Sequence, residues 1–164
     1  MDDKQLLEYK YSLTINSLAD MENLGRRLGE LVVAGDILLL YGELGAGKTT
    51  LTQAIGRGLE VPAEYYISSP SFALMHEYPG RLPLFHIDCY RLSGEDDVEG
   101  AGLVEYLETK TGICVVEWPQ RLGTLTPAGG LRLDIHIGEE EQRRLEFTTT
   151  SPLWAERWSK LTGD

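Results

Sequence analysis

Apolar residues recur along this chain in three rhythms. "ILLLY" (37–41) and "ICVVEW" (113–118) are short and almost wholly apolar. Such runs suit central strands of a parallel sheet covered on both faces. In "SLADMENLGRRLGELVVAGD" (17–36), Leu18, Met21, Leu24, Leu28 and Leu31 return at helical spacing. This predicts an amphipathic helix packed on the sheet, with Ser17 and Asp20 resembling a capping box and Gly35 suiting a helix stop. "LRLDIHI" (131–137) alternates strictly and predicts a half-buried strand near a sheet edge, paired with "RRLEFTTT" through the "GEEEQ" turn. "YKYSLTI" alternates weakly and reads as a first strand. "PLWAERWSKL" reads as a closing helix with Leu153, Trp154, Trp158 and Leu161 available for one face. Between them, "YYISSPSFALMHEY" and "LPLFHIDCYRL" read as strands, with turns at Pro70 and at Pro79-Gly80, and "GEDDVEGAGLVEYLETKTG" as acidic helix broken by glycines. Strands interleaved with helices predict an α/β fold: a central, mostly parallel sheet flanked by helices, with antiparallel strands toward the C-terminus.

No repeat, low-complexity tract or long linker divides the 164 residues, so one domain over 1–164 is expected. The formal net charge of -11 argues against direct grip on nucleic acid, which usually needs a basic face. It leaves room for work on RNA through a partner. No apolar run reaches membrane-span length. The opening "MDDKQLLEYKYS" is polar and of mixed charge, unlike a signal peptide. Cys89 and Cys114 lie in unrelated apolar stretches without Cys-x-x-Cys spacing, as expected of reduced, buried thiols in the cytosol.

The chemistry begins at "LLLYGELGAGKTTL" (38–51). Gly42, Gly47, Lys48 and Thr49 match Gly-x-x-x-x-Gly-Lys-[Ser/Thr], between an apolar strand and a helix expected from Lys48 to about Gly58. Glycines let successive backbone N–H groups turn inward around phosphates, and the helix start adds free N–H groups and a positive dipole end. In this pattern the lysine reaches the β- and γ-phosphates and the hydroxyl ligates Mg²⁺. Two acids end apolar strands, where ligands of open α/β sheets gather: Asp88 after "LFHI" and Glu117 after "ICVV". A metal-binding acid normally follows the strand beside the loop strand. Periodicity alone does not say which strand that is. Guanine recognition by Asn-Lys-x-Asp is missing: "TKTG" (109–112) lacks both ends of it, and "DVEG" (97–100) reads as a surface turn. Adenine is therefore the expected base.

Three further stretches complete an ordered set: "SSPSF" (68–72), "FHIDCYRL" (85–92) and "VVEWPQRL" (115–122). With "GELGAGKTTL" they resemble the bacterial TsaE family, also called YjeE, over about residues 12 to 150. The resemblance implies a small P-loop ATPase that supports the making of threonylcarbamoyladenosine in tRNA. It would act with a TsaB–TsaD complex that holds the tRNA and transfers the group. Residue by residue, it implies that Gly42, Glu43, Leu44, Gly45, Ala46, Gly47, Lys48, Thr49 and Thr50 cradle ATP. Thr49 would ligate Mg²⁺ with Glu117 as the preferred second ligand, and Asp88 would orient metal or water. Lys48, Asp88 and Glu117 would carry the catalysis. Ser71 stands where the family usually has Thr in a switch-like loop, and Arg143 where it can carry a nucleotide-side arginine. Trp118 is expected to pack in the core or near the nucleotide, and Tyr90 and Arg91 to be a core ring and a salt-bridge partner. His76, His86 and His136 show no metal-ligand convergence, with His86 best placed to support Asp88. No arginine finger is evident in the chain, so slow hydrolysis raised by partners is expected. Two rivals stand beside this reading: a small-molecule kinase and a non-catalytic ATP-gated binding module.

Overall fold

The structure, a computed structural model, describes residues 6–163. Residues 1–5, which open the polar stretch read as unlike a signal peptide, lie outside the described residues. The chain runs β1 (Tyr9–Ile15), α1 (Leu18–Leu31), β2 (Ile37–Tyr41), α2 (Lys48–Gly58), β3 (Met75–Tyr78) and β4 (Leu84–Asp88). It continues through α3 (Glu95–Gly100), α4 (Val104–Leu107), β5 (Ile113–Glu117), a 3-10 segment (Pro119–Leu125), β6 (Leu131–Ile137), β7 (Arg143–Thr149) and α5 (Pro152–Thr162). One seven-stranded sheet has the order β1-β7-β6-β2-β5-β4-β3. Its four central strands, β6, β2, β5 and β4, are parallel. β3 is antiparallel on one side, and β7 and β1 on the other.

The two apolar runs behave as their rhythm requires. β2 and β5 pair with each other, and both faces of each are covered. On one face Leu38, Leu40, Ile113 and Val115 pack against Leu28 of α1 and Leu51 and Ile55 of α2. On the other, Ile37, Leu39, Cys114 and Val116 pack against Val98, Leu103, Leu107 and Leu122. No polar side chain can be tolerated along such strands without a partner, so chemistry is pushed to their ends.

Four expectations change. "LRLDIHI" is not near an edge: β6 lies between β7 and β2. It alternates because α1 and α5 cover one face of this half of the sheet, while among the described residues nothing covers the other. "YYISSPSFALMHEY" forms a strand only at its end, Met75–Tyr78; the residues before it are a loop. Pro70 and the serines around it favour turns over a sheet ladder. "DVEG" lies in α3, with Val98 buried, and is not a surface turn. Finally, α1 ends at Leu31, and Gly35 belongs to the following turn, where its N–H donates to the Gly112 carbonyl. Ser17 does cap α1, accepting the Asp20 N–H at 3.1 Å. Met21, Leu24 and Leu28 are buried as the helical spacing predicts, whereas Leu18 and Leu153 remain exposed.

Candidate functional site

The loop Gly42–Gly47 leaves the C-terminal end of β2 and delivers α2. Gly45 (φ 80°) and Gly47 (φ 111°) take the left-handed backbone that suits glycine, and no side chain caps α2. Its first N–H groups thus face the cleft with the positive end of the helix dipole. Lys48 folds back along the loop. Its ammonium donates to the Gly42 carbonyl and, at 3.2 Å, to that of Glu43, and lies 4.0 Å from the centre of the Trp118 ring. Burial pulls its pKa below the ordinary lysine value, against the attraction of Glu117 and Asp88.

The sheet order shows which strand adjoins the loop strand. β5 is the strand beside β2, so Glu117 ends the neighbouring strand and Asp88 ends the next one out. Glu117 is buried, and the Thr49 hydroxyl donates to its Oε1 at 3.1 Å. Asp88 sits level with Glu117 in the parallel register. It accepts from the Ser69 hydroxyl and, at 2.9 Å, from the Tyr90 N–H. Both acids, Lys48 and Thr49 line a cleft of about 450 Å³ whose wall also includes Glu43–Gly47, Thr50, Ser69, Ser71, Tyr90, Arg91 and Trp118.

Several of the remaining residues take places the sequence did not indicate. His86 does not support Asp88: its Nε2 meets Glu117 Oε2 at 2.5 Å. Arg91 forms no salt bridge among the described residues and instead stacks on the exposed Phe72 ring at 3.9 Å. Tyr90 is no core ring: it is about half exposed and leans on Trp118, with 4.9 Å between centroids. Trp118 itself has φ 57°, left-handed backbone for a bulky residue followed by proline. Such a conformation costs about 1–3 kcal/mol and persists only where the surroundings impose it. Here it swings the ring back over Lys48. Ser69, which no spacing rule singled out, is the hydroxyl bonded to Asp88; Ser71 lines the cleft nearby.

Arg143 reaches the loop from the other side. Alternation along β7 puts it on the same face as Leu145 and Phe147. Its guanidinium donates to the Ala46 carbonyl at 3.0 Å and the Gly45 carbonyl at 3.3 Å. It thereby holds the outer edge of the loop. A second cleft of about 240 Å³ opens there, walled by Ile15, Ser17, Leu18, Met21, Gly45–Gly47, Thr50, Glu140, Glu141 and Arg143. This explains the exposure of Leu18: it forms an apolar wall of the cleft instead of joining the core.

The donor set suits a hard divalent cation. The Thr49 hydroxyl and the carboxylates of Glu117 and Asp88 offer oxygen only. Among the described residues no cluster of three or more His, Cys, Asp or Glu could hold a metal by itself. Mg²⁺ is characteristically held this way, by one or two carboxylates together with phosphate oxygens. Cys89 and Cys114 take no part: both are buried, and burial pushes the Cys89 thiol up to about 12 and the Cys114 thiol higher still.

A parallel sheet with a glycine loop and helix at its first central strand, and an acid at the end of the adjoining strand, defines an α/β domain of the P-loop NTPase type. Comparison with known proteins narrows the class. The profile of one family, "Threonylcarbamoyl adenosine biosynthesis protein TsaE", matches residues 15–145. The chain is 42% identical over 138 residues to a Nostoc protein named "tRNA threonylcarbamoyladenosine biosynthesis protein TsaE", covering 80% of this chain and 83% of that one. A Streptomyces coelicolor protein of the same name is 41% identical over 143 residues, covering 82% and 94%. The crystal structure of Bacillus subtilis YdiB superposes with a TM-score of 0.78 at 27% identity, covering 95% of this chain and 96% of that one. The chain belongs to the TsaE family. No helix among the described residues is long and apolar enough to cross a membrane.

Proposed function

We propose that this protein binds ATP with Mg²⁺ and hydrolyses it as an accessory to threonylcarbamoyladenosine formation on tRNA, in the cytoplasm, beside a TsaB–TsaD type complex. The observation that carries the reading is the 3.1 Å contact between Thr49 and Glu117. It joins the first turn of the loop helix to the acid of the adjoining strand, the two side chains that a P-loop enzyme uses for its metal. Relatives named for the same biosynthesis support the pathway.

In this reading the triphosphate lies along the loop N–H groups, and the nucleoside enters the cleft beside Leu18 and Met21. The Lys48 ammonium exchanges the carbonyls of Gly42 and Glu43 for phosphate oxygens. Bound Mg²⁺ supplies charge neutralisation at the β- and γ-phosphates. Asp88, tied by Ser69 and the Tyr90 N–H, orients the water that attacks the γ-phosphorus. Arg91 is the one arginine lining the main cleft among the described residues, and it is laid on Phe72. Charge stabilisation by an arginine therefore awaits a rearrangement or a partner, a contribution of about 10³–10⁵ where it is supplied in trans. The net charge of -11 fits a protein that leaves the tRNA to its partner.

The test is phosphate release by the purified protein with and without the partner complex, and tRNA modification, read by mass spectrometry, in a strain depleted of its own TsaE. Slow release alone, faster release with partners and restored modification are expected. Fast release by the isolated protein would contradict the partner dependence. Release only on addition of a small-molecule acceptor would favour a kinase. Modification left unrestored by a well-expressed protein would remove the pathway assignment.

A further inference from the structure

One polar side chain interrupts the apolar face of the sheet beneath α2. In "LFHID" the alternation of β4 sends Leu84, His86 and Asp88 toward α2 and Phe85 and Ile87 to the opposite core. His86 is fully buried. It pairs across the parallel ladder with Val115, which makes Glu117 its diagonal neighbour two residues on. A buried imidazole that merely filled space would cost free energy and could be replaced by leucine. This one is aimed: Nε2 meets Glu117 Oε2 at 2.5 Å, while Nδ1 is buried with no partner. A bare lone pair is cheaper to bury than a bare N–H, so the ring proton belongs on Nε2, donated to the carboxylate.

Glu117 is thus gripped at both oxygens: by Thr49 chiefly at Oε1, at 3.1 Å with a longer contact of 3.4 Å to Oε2, and by His86 at Oε2. The two bonds differ in kind. The Thr49 hydroxyl is the group expected to turn to the metal, and on doing so it releases Oε1. The His86 bond involves no other ligand and can persist throughout. We propose that His86 is a positioning residue: it fixes the rotamer of Glu117 from beneath, so that Oε1 faces Thr49 and the metal rather than turning toward Lys48. Outer groups that orient metal ligands typically contribute about 10–100-fold in metal affinity or activity.

The inference rests on the ATP and Mg²⁺ reading, and calorimetry separates the two. ATP affinity is measured with and without Mg²⁺ for the unaltered protein and for His86→Leu, His86→Gln and His86→Asn. His86→Gln places an amide N–H near the Nε2 position, whereas the shorter His86→Asn does not reach it. In His86→Leu the Mg²⁺-dependent gain in ATP affinity should fall about 10–100-fold, with metal-free affinity little changed. His86→Gln should restore most of the gain. Should His86→Leu not fold, the contrast between Gln (gain retained) and Asn (gain lost) decides the same question. Undiminished Mg²⁺ coupling in His86→Leu, or equal behaviour of the Gln and Asn variants, would overturn the role of His86 alone. No Mg²⁺ dependence in the unaltered protein would overturn the ATP reading and this inference with it.

Discussion

The two halves of the sheet are built on opposite terms. The parallel half, β2-β5-β4, is covered by helices on both faces, and its strands carry polar side chains only where chemistry or a hydrogen bond requires them: His86, Asp88 and Glu117. The antiparallel half, β6-β7-β1, whose strands run antiparallel to one another although β6 joins β2 in parallel, is covered on one face only. Its open face presents Arg132, Asp134, His136, Arg144 and Glu146, paired with one another and largely in water. The first half has no room for error and holds nearly all the candidate site. The second is tolerant; it bonds to the loop through Arg143 and adds Ile15 of β1 to the wall of the adjoining cleft. Position in the sheet thus decides how much a substitution matters, more than residue type does.

The largest effect should come from the parallel half. Lys48→Ala removes the ammonium expected at the phosphates. Hydrolysis should fall by about 10²–10³-fold, the scale of losing one preorganised donor from a site. Because the Lys48 ammonium hydrogen-bonds only to carbonyls of its own loop and otherwise meets only the Trp118 ring, thermal unfolding should move by less than about 4 °C. Equal loss of stability and activity would mean that the loop is part of the scaffold, and the contrast would collapse.

Next comes the packing that holds the loop helix. Gly58 of α2 lies so close to α1 that an added Cβ would collide with the Arg26 carbonyl and meet the Cα of Gly29 at 2.8 Å. Both neighbours are backbone and cannot swing aside, so α1 and α2 must part. Gly58→Ala should cost about 3 kcal/mol, at the upper end of overpacking effects, read by denaturant unfolding. Alanine at the half-buried Gly94, where a Cβ meets nothing, serves as the control. A Gly58→Ala protein as stable as that control would show that this half is not rigid.

Legibility followed the same division. Rhythm revealed the parallel core and the β6–β7 hairpin because burial on two faces and on one leave different patterns. The loop and the strand-end acids were visible because phosphate chemistry needs fixed types at fixed spacing. Strand order was not visible: that β5 rather than β4 adjoins β2 depends on pairing between residues far apart in the chain, so only the family resemblance, and no pattern in the residues, ranked Glu117 over Asp88. The same blindness hid the partner of His86, which sits two residues from Asp88 in sequence yet bonds Glu117 across the ladder. Ser69 was masked by an apparent strand. Its loop is defined by turn residues and by a contact to Asp88, neither of which has a period. Leu18 misled because a cleft wall and a core face use the same residues.

Arg143 tests the hydrogen-bonded link from the tolerant half to the site. Its Nε and Nη2 donate to the Ala46 and Gly45 carbonyls, and the third nitrogen, Nη1, donates to the carbonyls of Gln142 at 2.9 Å and Glu140 at 3.1 Å. Arg143→Ala should weaken ATP binding about tenfold, the scale of losing a charged hydrogen bond, while leaving unfolding near that of the parent. Lysine should rescue little, since a point charge cannot span two carbonyls as the planar fork does. A change of less than twofold in ATP affinity would leave the antiparallel half with no part in the site.

The smallest effect is expected on the open face. Arg132 pairs with Asp134 through Nε at 2.7 Å and stacks on Tyr41 at 3.9 Å, with its side chain about half exposed. This is a two-pronged bond, and Asp134 holds the arginine's pKa above its ordinary value. Even so, water competes for both partners and salt screens them, so Arg132→Ala should cost less than about 1 kcal/mol. The loss should shrink further in high salt. Unfolding measured at low and high ionic strength checks both statements. A cost comparable with that of Gly58→Ala would mean that the open face is as tightly specified as the covered one, and the difference between the halves would reduce to their chemistry alone.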